Sequence, residues 1–273
     1  MNMKRIITTI ACAIAFASCA LAQQTSPTSY TEKLVYQGKD VEFRQIDGHT
    51  WHGHGNMVYN EAIYVIEGND KALVIDAGTN IPGLRKIIEG ITSKPVILAL
   101  THFHPDHSGS AIHEFDELWF FPDTKDTEDR YLKDYKGKTV NMTDGMTIDL
   151  GGRQLHVFHT PGHTYGSCTF LDYEAGYGFS GDSFGSTNLL LNSSVEGMMG
   201  VCTKMLKLME IHNIAKLYPG HYHGDNPETA EVLRKEIFMC EGILTGALEG
   251  EQQRNVKVLN VLGTRIQYDD RKN

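Results

Sequence analysis

The amino-acid sequence predicts an α/β fold of four layers, in which two β-sheets pack face to face and helices cover both outer surfaces. Short apolar or alternating segments, typical of strands, occur in two groups along the chain. Segments with apolar residues three or four positions apart, which predict helices, flank each group. The 273 residues show no break in composition. We therefore expect residues 23–273 to form one domain.

The first group of strands lies between residues 33 and 76. Residues 41–46 alternate apolar and polar side chains, and residues 62–66 and 72–75 are apolar runs. Gly68-Asn69-Asp70 separates the two apolar runs, and this composition is typical of a hairpin turn. This part of the chain is therefore predicted to be antiparallel β-structure.

A helix is predicted over residues 81–91, where Leu84, Ile87, Ile88 and Ile91 have helical spacing. The continuous apolar run at 96–100 is typical of a strand buried on both faces. Further strands are predicted at 118–121, 147–150, 155–159, 168–172, 178–180 and 216–218, helices at 195–212 and from 227 to about 248, and a closing hairpin at 256–260 and 264–268.

The N-terminal 22 residues have the pattern of an export signal. Lys4 and Arg5 precede a short apolar stretch at 6–16, and Ala20-Leu21-Ala22 matches a small-x-small cleavage site before Gln23. The apolar stretch is too short to span a bilayer. We therefore expect an exported protein without an integral membrane span, periplasmic in the first instance.

Two other destinations remain open for an exported chain. The protein could be secreted, or Cys19 could be lipid-modified and anchor it. The formal net charge is −9, and an acidic protein repels phosphate backbones, so nucleic acid is a poor partner and we expect none. Cys168, Cys202 and Cys240 lack ligand-like spacing and are predicted to be mostly buried thiols, with any pairing left open.

The run His102-Phe103-His104-Pro105-Asp106-His107 follows directly on the buried strand at 96–100. In an extended segment, residues two apart point to the same side, so His102 and His104 can face one metal. Pro105 then turns the chain, and Asp106 and His107 can face a second metal. Imidazole and carboxylate ligands suit zinc or iron. This run therefore predicts a metal site.

Three further ligand-type residues each follow a predicted strand and have a glycine beside them. They are His163, Asp182 and His221. Strand ends that gather at one edge of a sandwich would bring such side chains together. Considered with the histidine-rich run, they predict a site shared by four segments.

These motifs resemble the metallo-β-lactamase superfamily, whose pattern is His-x-His-x-Asp-His followed by a lone His, an Asp and a final His. The resemblance covers about residues 59–221, and Asp76 matches the family's first motif, usually a structural carboxylate. It implies an αββα sandwich with the metals in a groove at one edge.

The resemblance also implies the role of each ligand. His102, His104 and His163 would hold one Zn²⁺, and Asp106, His107 and His221 a second, with Asp182 bridging the two. A metal-bound hydroxide would then attack a carbonyl, and Asp106 would orient it.

The substrate class follows less directly from the resemblance. An aspartate at position 182 resembles the thioesterases and lactonases of the superfamily, so the expected reaction is cleavage of an ester, thioester or lactone in a small molecule. The alternatives are a β-lactamase and an iron-dependent oxidoreductase. Oligomeric state cannot be inferred from the sequence.

A glycine-rich segment at 47–55 is predicted to form a flexible flap over the groove. Trp51, His52 and His54 from this segment are candidates for substrate contact. Tyr165, beside the metal-ligand candidate His163, is a further candidate. His223 and Phe184 also lie next to ligand positions and are candidates for lining the pocket.

Overall fold

A computed structural model describes residues 31–56, 59–123 and 130–272, so the predicted export segment at 1–22 lies outside the described residues. The helices described are α1 (Leu84–Glu89), α2 (Val195–Ile211) and α3 (Ala230–Thr245). The strands are β1 (Lys33–Gln37), β2 (Val41–Asp47), β3 (Thr50–Gly55), β4 (Ala62–Glu67), β5 (Ala72–Ile75), β6 (Val96–Ala99), β7 (Glu117–Phe120), β8 (Lys138–Asn141), β9 (Thr147–Asp149), β10 (Gln154–His159), β11 (Cys168–Asp172), β12 (Tyr177–Gly181), β13 (Asn188–Leu190), β14 (Lys216–Pro219), β15 (Glu251–Gln253), β16 (Val256–Val261) and β17 (Thr264–Tyr268).

In the described part of the chain, β1 to β8 form one sheet in sequence order. Neighbouring strands from β1 to β5 are antiparallel, whereas β5 to β8 are parallel. A parallel neighbour needs a crossover, and α1 lies in the connection between β5 and β6. Strand β6 lies between β5 and β7 and is thus inside the sheet, as its apolar sequence predicts.

The second sheet has the order β14-β12-β11-β10-β9 among the described strands. Its strand β14 is parallel to β12, and α2 lies in the connection between them. A smaller sheet of β13, β17, β16 and β15 contains the predicted closing hairpin, in which Asn260 pairs with Arg265. The parallel pair β12 and β14 ends at the same edge, which matters for the site described below.

Successive side chains of each strand point to opposite faces, and this alternation produces three apolar layers. Tyr64 of β4 packs between the sheets with Phe170 and Phe179 of the second sheet. Its neighbour Val65 packs on the other face with residues of α1. Helices α2 and α3 cover the outer face of the second sheet. The predicted four-layer αββα arrangement is therefore confirmed.

The prediction of a flexible flap at 47–55 is wrong, because most of this segment is strand β3 inside the first sheet. Within this strand, a glycine provides space for a neighbouring side chain and does not indicate a mobile segment. Gly53 pairs with Phe43 of β2, and a Cβ atom at Gly53 would lie 2.6 Å from the Phe43 ring. The glycine therefore lets the aromatic ring lie across the strand.

The three described cysteines, Cys168, Cys202 and Cys240, are free and buried, as predicted for thiols. Within the residues that the structure describes, none of the helices combines the length and the apolar character needed to cross a membrane.

Arg153 connects the two main sheets. Its guanidinium donates to Asp172 Oδ2 of β11 at 2.7 Å, to Thr50 Oγ1 of β3 at 2.8 Å and to the carbonyl oxygen of His49 at 2.9 Å. The side chain of Asp172 is 1% exposed. We expect Arg153→Ala to lower the free energy of unfolding by about 3–5 kcal/mol, because a buried carboxylate loses its cation.

Denaturant unfolding measures this change, and Arg234→Ala is the matched control. Arg234 pairs with Glu210 on the surface, where both side chains are 57% exposed. Its removal should change the unfolding free energy by about 1 kcal/mol or less. Equal effects of the two substitutions would contradict the role assigned to Arg153.

Candidate metal centre

The ligand candidates follow four strand ends at one edge of the sandwich. Strand β6 leads into the run 102–107, and β10 leads to His163. The parallel strands β12 and β14 lead to Asp182 and His221, and the backbone N–H of Gly220 donates to the carbonyl of Gly181 at 2.7 Å. The four segments that the sequence singles out therefore meet in space.

Three histidines form the first group. His104 Nδ1 lies 3.1 Å from His102 Nε2 and 2.8 Å from His163 Nε2. His102 is 2% exposed and His163 is 5% exposed. Three imidazole nitrogens thus point to one position from two separate segments, which is a ligand set that suits zinc.

Asp106, His107 and His221 form the second group, whose ligand atoms lie within 4.8 Å of one another. Asp106 Oδ2 lies 3.7 Å from His107 Nε2 and 3.5 Å from His221 Nε2. A carboxylate with two imidazoles is again a set that suits zinc or iron.

Asp182 lies between the two groups. Its Oδ2 atom is 3.5 Å from His163 Nε2, in the first group, and 3.3 Å from His221 Nε2, in the second. Its Oδ1 atom is 3.5 Å from His107 Nε2. This aspartate can therefore contribute an oxygen to each of two neighbouring cations, as the resemblance implies.

Four of these histidines use ring nitrogen Nδ1 for a hydrogen bond outside the cluster. Their other ring nitrogen, Nε2, is then available to bind a metal. A ring N–H bound to a backbone carbonyl must be the donor, so the other ring nitrogen carries the lone pair. The four Nδ1 contacts are His163 with the Leu190 carbonyl at 3.1 Å, His221 with the Tyr59 carbonyl at 2.8 Å, His107 with Asp76 Oδ2 at 2.9 Å and His102 with Thr101 Oγ1 at 3.0 Å.

His107 Nε2 is buried and makes no hydrogen bond of standard geometry with the described residues. A buried nitrogen without such a partner is costly, and a metal ion at this position would satisfy it. Together with the hydrogen-bonded Nδ1 atoms of the four histidines, this atom shows that the residues present fit a metal centre.

Asp76 stabilises this arrangement through hydrogen bonds to Thr101 and His107. Its carboxylate accepts from the backbone N–H of Thr101 at 2.7 Å, from Thr101 Oγ1 at 2.8 Å and from His107 Nδ1 at 2.9 Å. It is 1% exposed, and its φ of 65° lies in the left-handed region that aspartate and asparagine tolerate. The structural role that the resemblance implies for Asp76 agrees with these contacts.

Charge is concentrated around the second group. Burial and the neighbouring His107 hold the pKa of His102 well below its ordinary value. Burial also opposes the charged form of His107, but the carboxylates of Asp182 and Asp76 outweigh it and raise the pKa of His107 well above its ordinary value. Burial likewise opposes ionisation of Asp182, but His221 and His107 lower its pKa. The carboxylates of Asp76 and Asp182 therefore favour a positive charge beside them, at the position of His107.

A cavity of about 280 Å³ opens beside the cluster. His223, one of the predicted pocket residues, lines it. A Cβ atom at Gly220 would lie 2.3 Å from Asp182 Oδ1 and 2.6 Å from His107 Cε1, so only glycine allows the chain to pass here. The described residues around this cavity are His163, Gly181, Asp182, Gly185, Ser186, Asn188, Leu190, Pro219, His221, His223 and Asn226.

The four candidates for substrate contact lie elsewhere, and none of them is among the described residues that line this cavity. Trp51 packs against the outer apolar layer of the first sheet and is 7% exposed. His52, on the opposite face, contacts the Tyr222 ring with centroids 5.0 Å apart, and His54 is 8% exposed. Tyr165 is 67% exposed. Their contact with substrate stays a prediction.

Several residues of the site have no signal in the sequence that could have identified them. Thr101 precedes the motif, but its link between Asp76 and His102 depends on the packing of β5 beside β6. Ser186, Asn188 and Asn226 are ordinary loop residues until the fold brings them to the cavity. The predicted residue Phe184 is fully buried and lies in the core beneath α2 and α3.

The chain matches a family model described as the metallo-beta-lactamase superfamily over residues 57–236. Among curated proteins it is similar to the acyl-coenzyme A thioesterase MBLAC2 of Homo sapiens, with 26% identity over 72% of this chain and 87% of that protein. It is also similar to an atrochrysone carboxyl ACP thioesterase of Aspergillus fumigatus, with 28% identity over 58% of this chain and 36% of that protein.

Among solved structures, the chain resembles a metallo-beta-lactamase from Pontibacter korlensis, with a TM-score of 0.58 and 16% identity over 74% of this chain and 99% of that one. A metallo-beta-lactamase from Erythrobacter litoralis gives a TM-score of 0.57 and 15% identity over 77% of this chain and 99% of that one. At these identities the likeness concerns the fold.

Proposed function

This chain belongs to the metallo-beta-lactamase superfamily, and we propose that it is a dinuclear zinc hydrolase that cleaves acyl thioesters. The single observation that carries the metal-dependent part is the position of Asp182, within 3.5 Å of histidine nitrogens from both ligand groups. The choice of thioesters is supported by the relatives, which carry the names of an acyl-coenzyme A thioesterase and an ACP thioesterase.

Each ligand group has the composition that zinc prefers. His102, His104 and His163 would hold one ion, and Asp106, His107 and His221 the other, with Asp182 shared between them. When bound, such a pair of cations supplies a polarised carbonyl and a water molecule of lowered pKa. No serine or cysteine nucleophile is then required for hydrolysis.

The side chains of the site have separate tasks in this reaction. Asp106 is 14% exposed, and its carboxylate can accept a hydrogen bond from the attacking water and orient it. The cavity beside His221 and Asp182 can admit the substrate, where Ser186, Asn188 and His223 offer polar contacts. Water adds to the carbonyl carbon, the C–S bond breaks, and the products are a carboxylic acid and a thiol.

Release of the thiol gives a direct test. We expect the purified protein to hydrolyse acyl-coenzyme A, acyl-pantetheine or acyl-N-acetylcysteamine, with the freed thiol detected by a disulfide dye. Nitrocefin, homoserine lactones and p-nitrophenyl esters form the comparison panel. Turnover of a lactam or a lactone with no turnover of any thioester would contradict the proposed substrate class.

Removal of the metal gives an independent test. We expect dialysis against a strong chelator to abolish hydrolysis and to lower the melting temperature, because a ligand that binds the native state alone stabilises it. Adding zinc should restore both properties, and plasma emission should find two zinc ions per chain. Iron in place of zinc, or one ion per chain, would contradict the dinuclear zinc assignment.

We also propose that the protein is exported, on the basis of the signal pattern in residues 1–22. The full chain expressed in a bacterium should be recovered from the periplasm, and intact-mass measurement should place the mature N-terminus at Gln23. A lipid-modified Cys19 in the membrane fraction would redirect the proposal to an anchored protein. Recovery from the cytoplasm with an intact N-terminus would contradict export.

A further inference from the structure

A buried carboxylate behind the cavity connects two of the strands that carry metal ligands. Glu228 is fully buried. Its backbone N–H donates to the carbonyl of Leu217 at 2.9 Å, and the Leu217 N–H donates back at 2.7 Å, so Glu228 is fixed beside β14. Strand β14 leads to His221. The backbone of Glu228 is thus attached to the strand that delivers one ligand.

The side chain of Glu228 reaches the strand that delivers another ligand. Its Oε2 atom accepts from Ser180 Oγ of β12 at 2.5 Å, and its Oε1 atom accepts from the Ser186 N–H at 2.9 Å and from Ser186 Oγ at 3.3 Å. Ser180 and Ser186 lie on either side of Asp182 in the chain. One carboxylate therefore fixes both ends of the segment that carries the shared aspartate.

The segment held by Glu228 has an unfavourable backbone conformation. Gly185, Ser186 and Thr187 have φ angles of 62°, 44° and 80°. Serine and threonine rarely adopt this left-handed region, so their surroundings must hold them there. Gly185 and Ser186 line the cavity beside Asp182 and His221. The bonds from Ser186 to Glu228 supply the stabilisation that this cavity wall requires.

We propose that Glu228 is a positioning residue that fixes Asp182 within the metal centre and Ser186 in the wall of the substrate cavity. Glu228 is not among the described residues that line the cavity, and it acts through the two serines. Burial raises the pKa of Glu228 to about 7, although its bonds to Ser180 and Ser186 oppose that shift, which is consistent with the energetic cost of placing a carboxylate here. The part of this inference that concerns the substrate cavity rests on the proposed thioesterase function.

Zinc affinity of the full chain, measured by competition with a chromophoric chelator, tests the inference without any substrate. We expect Glu228→Ala to weaken binding of at least one zinc ion about tenfold, the lower end of the effect of removing a group that hydrogen-bonds to a metal ligand, because Glu228 acts on Asp182 through the two serines. Glu228→Gln should retain most of the affinity, because its amide oxygen can accept from Ser186 and its NH₂ group can donate to Ser180 Oγ. Rescue by glutamine would show that geometry matters more than charge.

Glu236→Gln is the matched control. Glu236 is also fully buried, and its Oε2 atom accepts from the Cys202 thiol at 3.2 Å, but among the described residues it makes no hydrogen bond to Ser180 or Ser186. A merely structural carboxylate should change the melting temperature without changing zinc affinity, and we expect this of Glu236. Hydrogen exchange on the metal-free proteins should show faster exchange over residues 183–188 in Glu228→Ala alone.

Wild-type zinc affinity together with wild-type exchange in Glu228→Ala would overturn the inference. If Glu228→Ala does not fold, Ser180→Ala takes its place, because it removes one of the two hydroxyls that donate to Glu228. Unchanged zinc affinity in that variant would also overturn the inference. On a substrate that is turned over, KM should rise in Glu228→Ala because the cavity wall is displaced. Because zinc affinity is measured without substrate, a failure of the thioesterase proposal is distinguishable from a failure of this one.

Discussion

Asp182→Ala is expected to reduce thioester hydrolysis by about 10³-fold or more. A metal centre of this kind contributes several kcal/mol to the rate, and about 4 kcal/mol corresponds to about 10³-fold. Asp182 approaches His107, His163 and His221, which belong to both ligand groups. Under the proposed dinuclear centre, its removal would deprive both cations of a ligand at once, and zinc content should fall together with activity.

The control for this substitution is Asp116→Ala. Asp116 is 85% exposed and pairs with Arg85 at the surface. Its removal should leave hydrolysis and zinc content unchanged, because exposed pairs contribute little and this residue lies outside the cluster. Activity near that of the wild-type protein in Asp182→Ala would refute the shared metal centre and the hydrolytic mechanism that depends on it.

Asp76→Asn is expected to have the second largest effect. Asparagine has the same shape and tolerates the φ of 65° at this position, so the substitution changes hydrogen bonding rather than backbone fit. The amide NH₂ group cannot accept from His107 Nδ1 as Asp76 Oδ2 does at 2.9 Å. His107 would then no longer be held with Nε2 free, so we expect zinc affinity and activity to fall about 10- to 100-fold.

The same variant should also be less stable. Asp76 accepts three hydrogen bonds in a position that is 1% exposed, and disruption of such a buried network costs about 3–5 kcal/mol. Excess zinc should recover part of the activity if the loss arises from weaker binding. A variant with wild-type affinity and stability would show that Asp76 does not orient His107.

Much of the fold could be predicted from local pattern. The apolar run at 96–100 predicts a buried strand, and β6 (Val96–Ala99) is one. The helix predicted over 195–212 is α2 (Val195–Ile211), because its apolar residues repeat at helical spacing. The segment at 47–55 was not predictable in this way, since Gly53 accommodates Phe43, a residue of the neighbouring strand.

The sequence by itself determined the types and order of the ligand candidates, because the spacing in His102-x-His104 and the glycines beside Asp182 and His221 are local features. Tertiary structure alone decided how these side chains meet. The packing of the sheets places Asp182 between the two ligand groups and Glu228 behind the cavity wall. In the first group, His104 presents Nδ1, whereas His102 and His163 present Nε2. Such contacts join residues far apart in the chain, and they depend on how the two sheets pack, which no short stretch of sequence encodes.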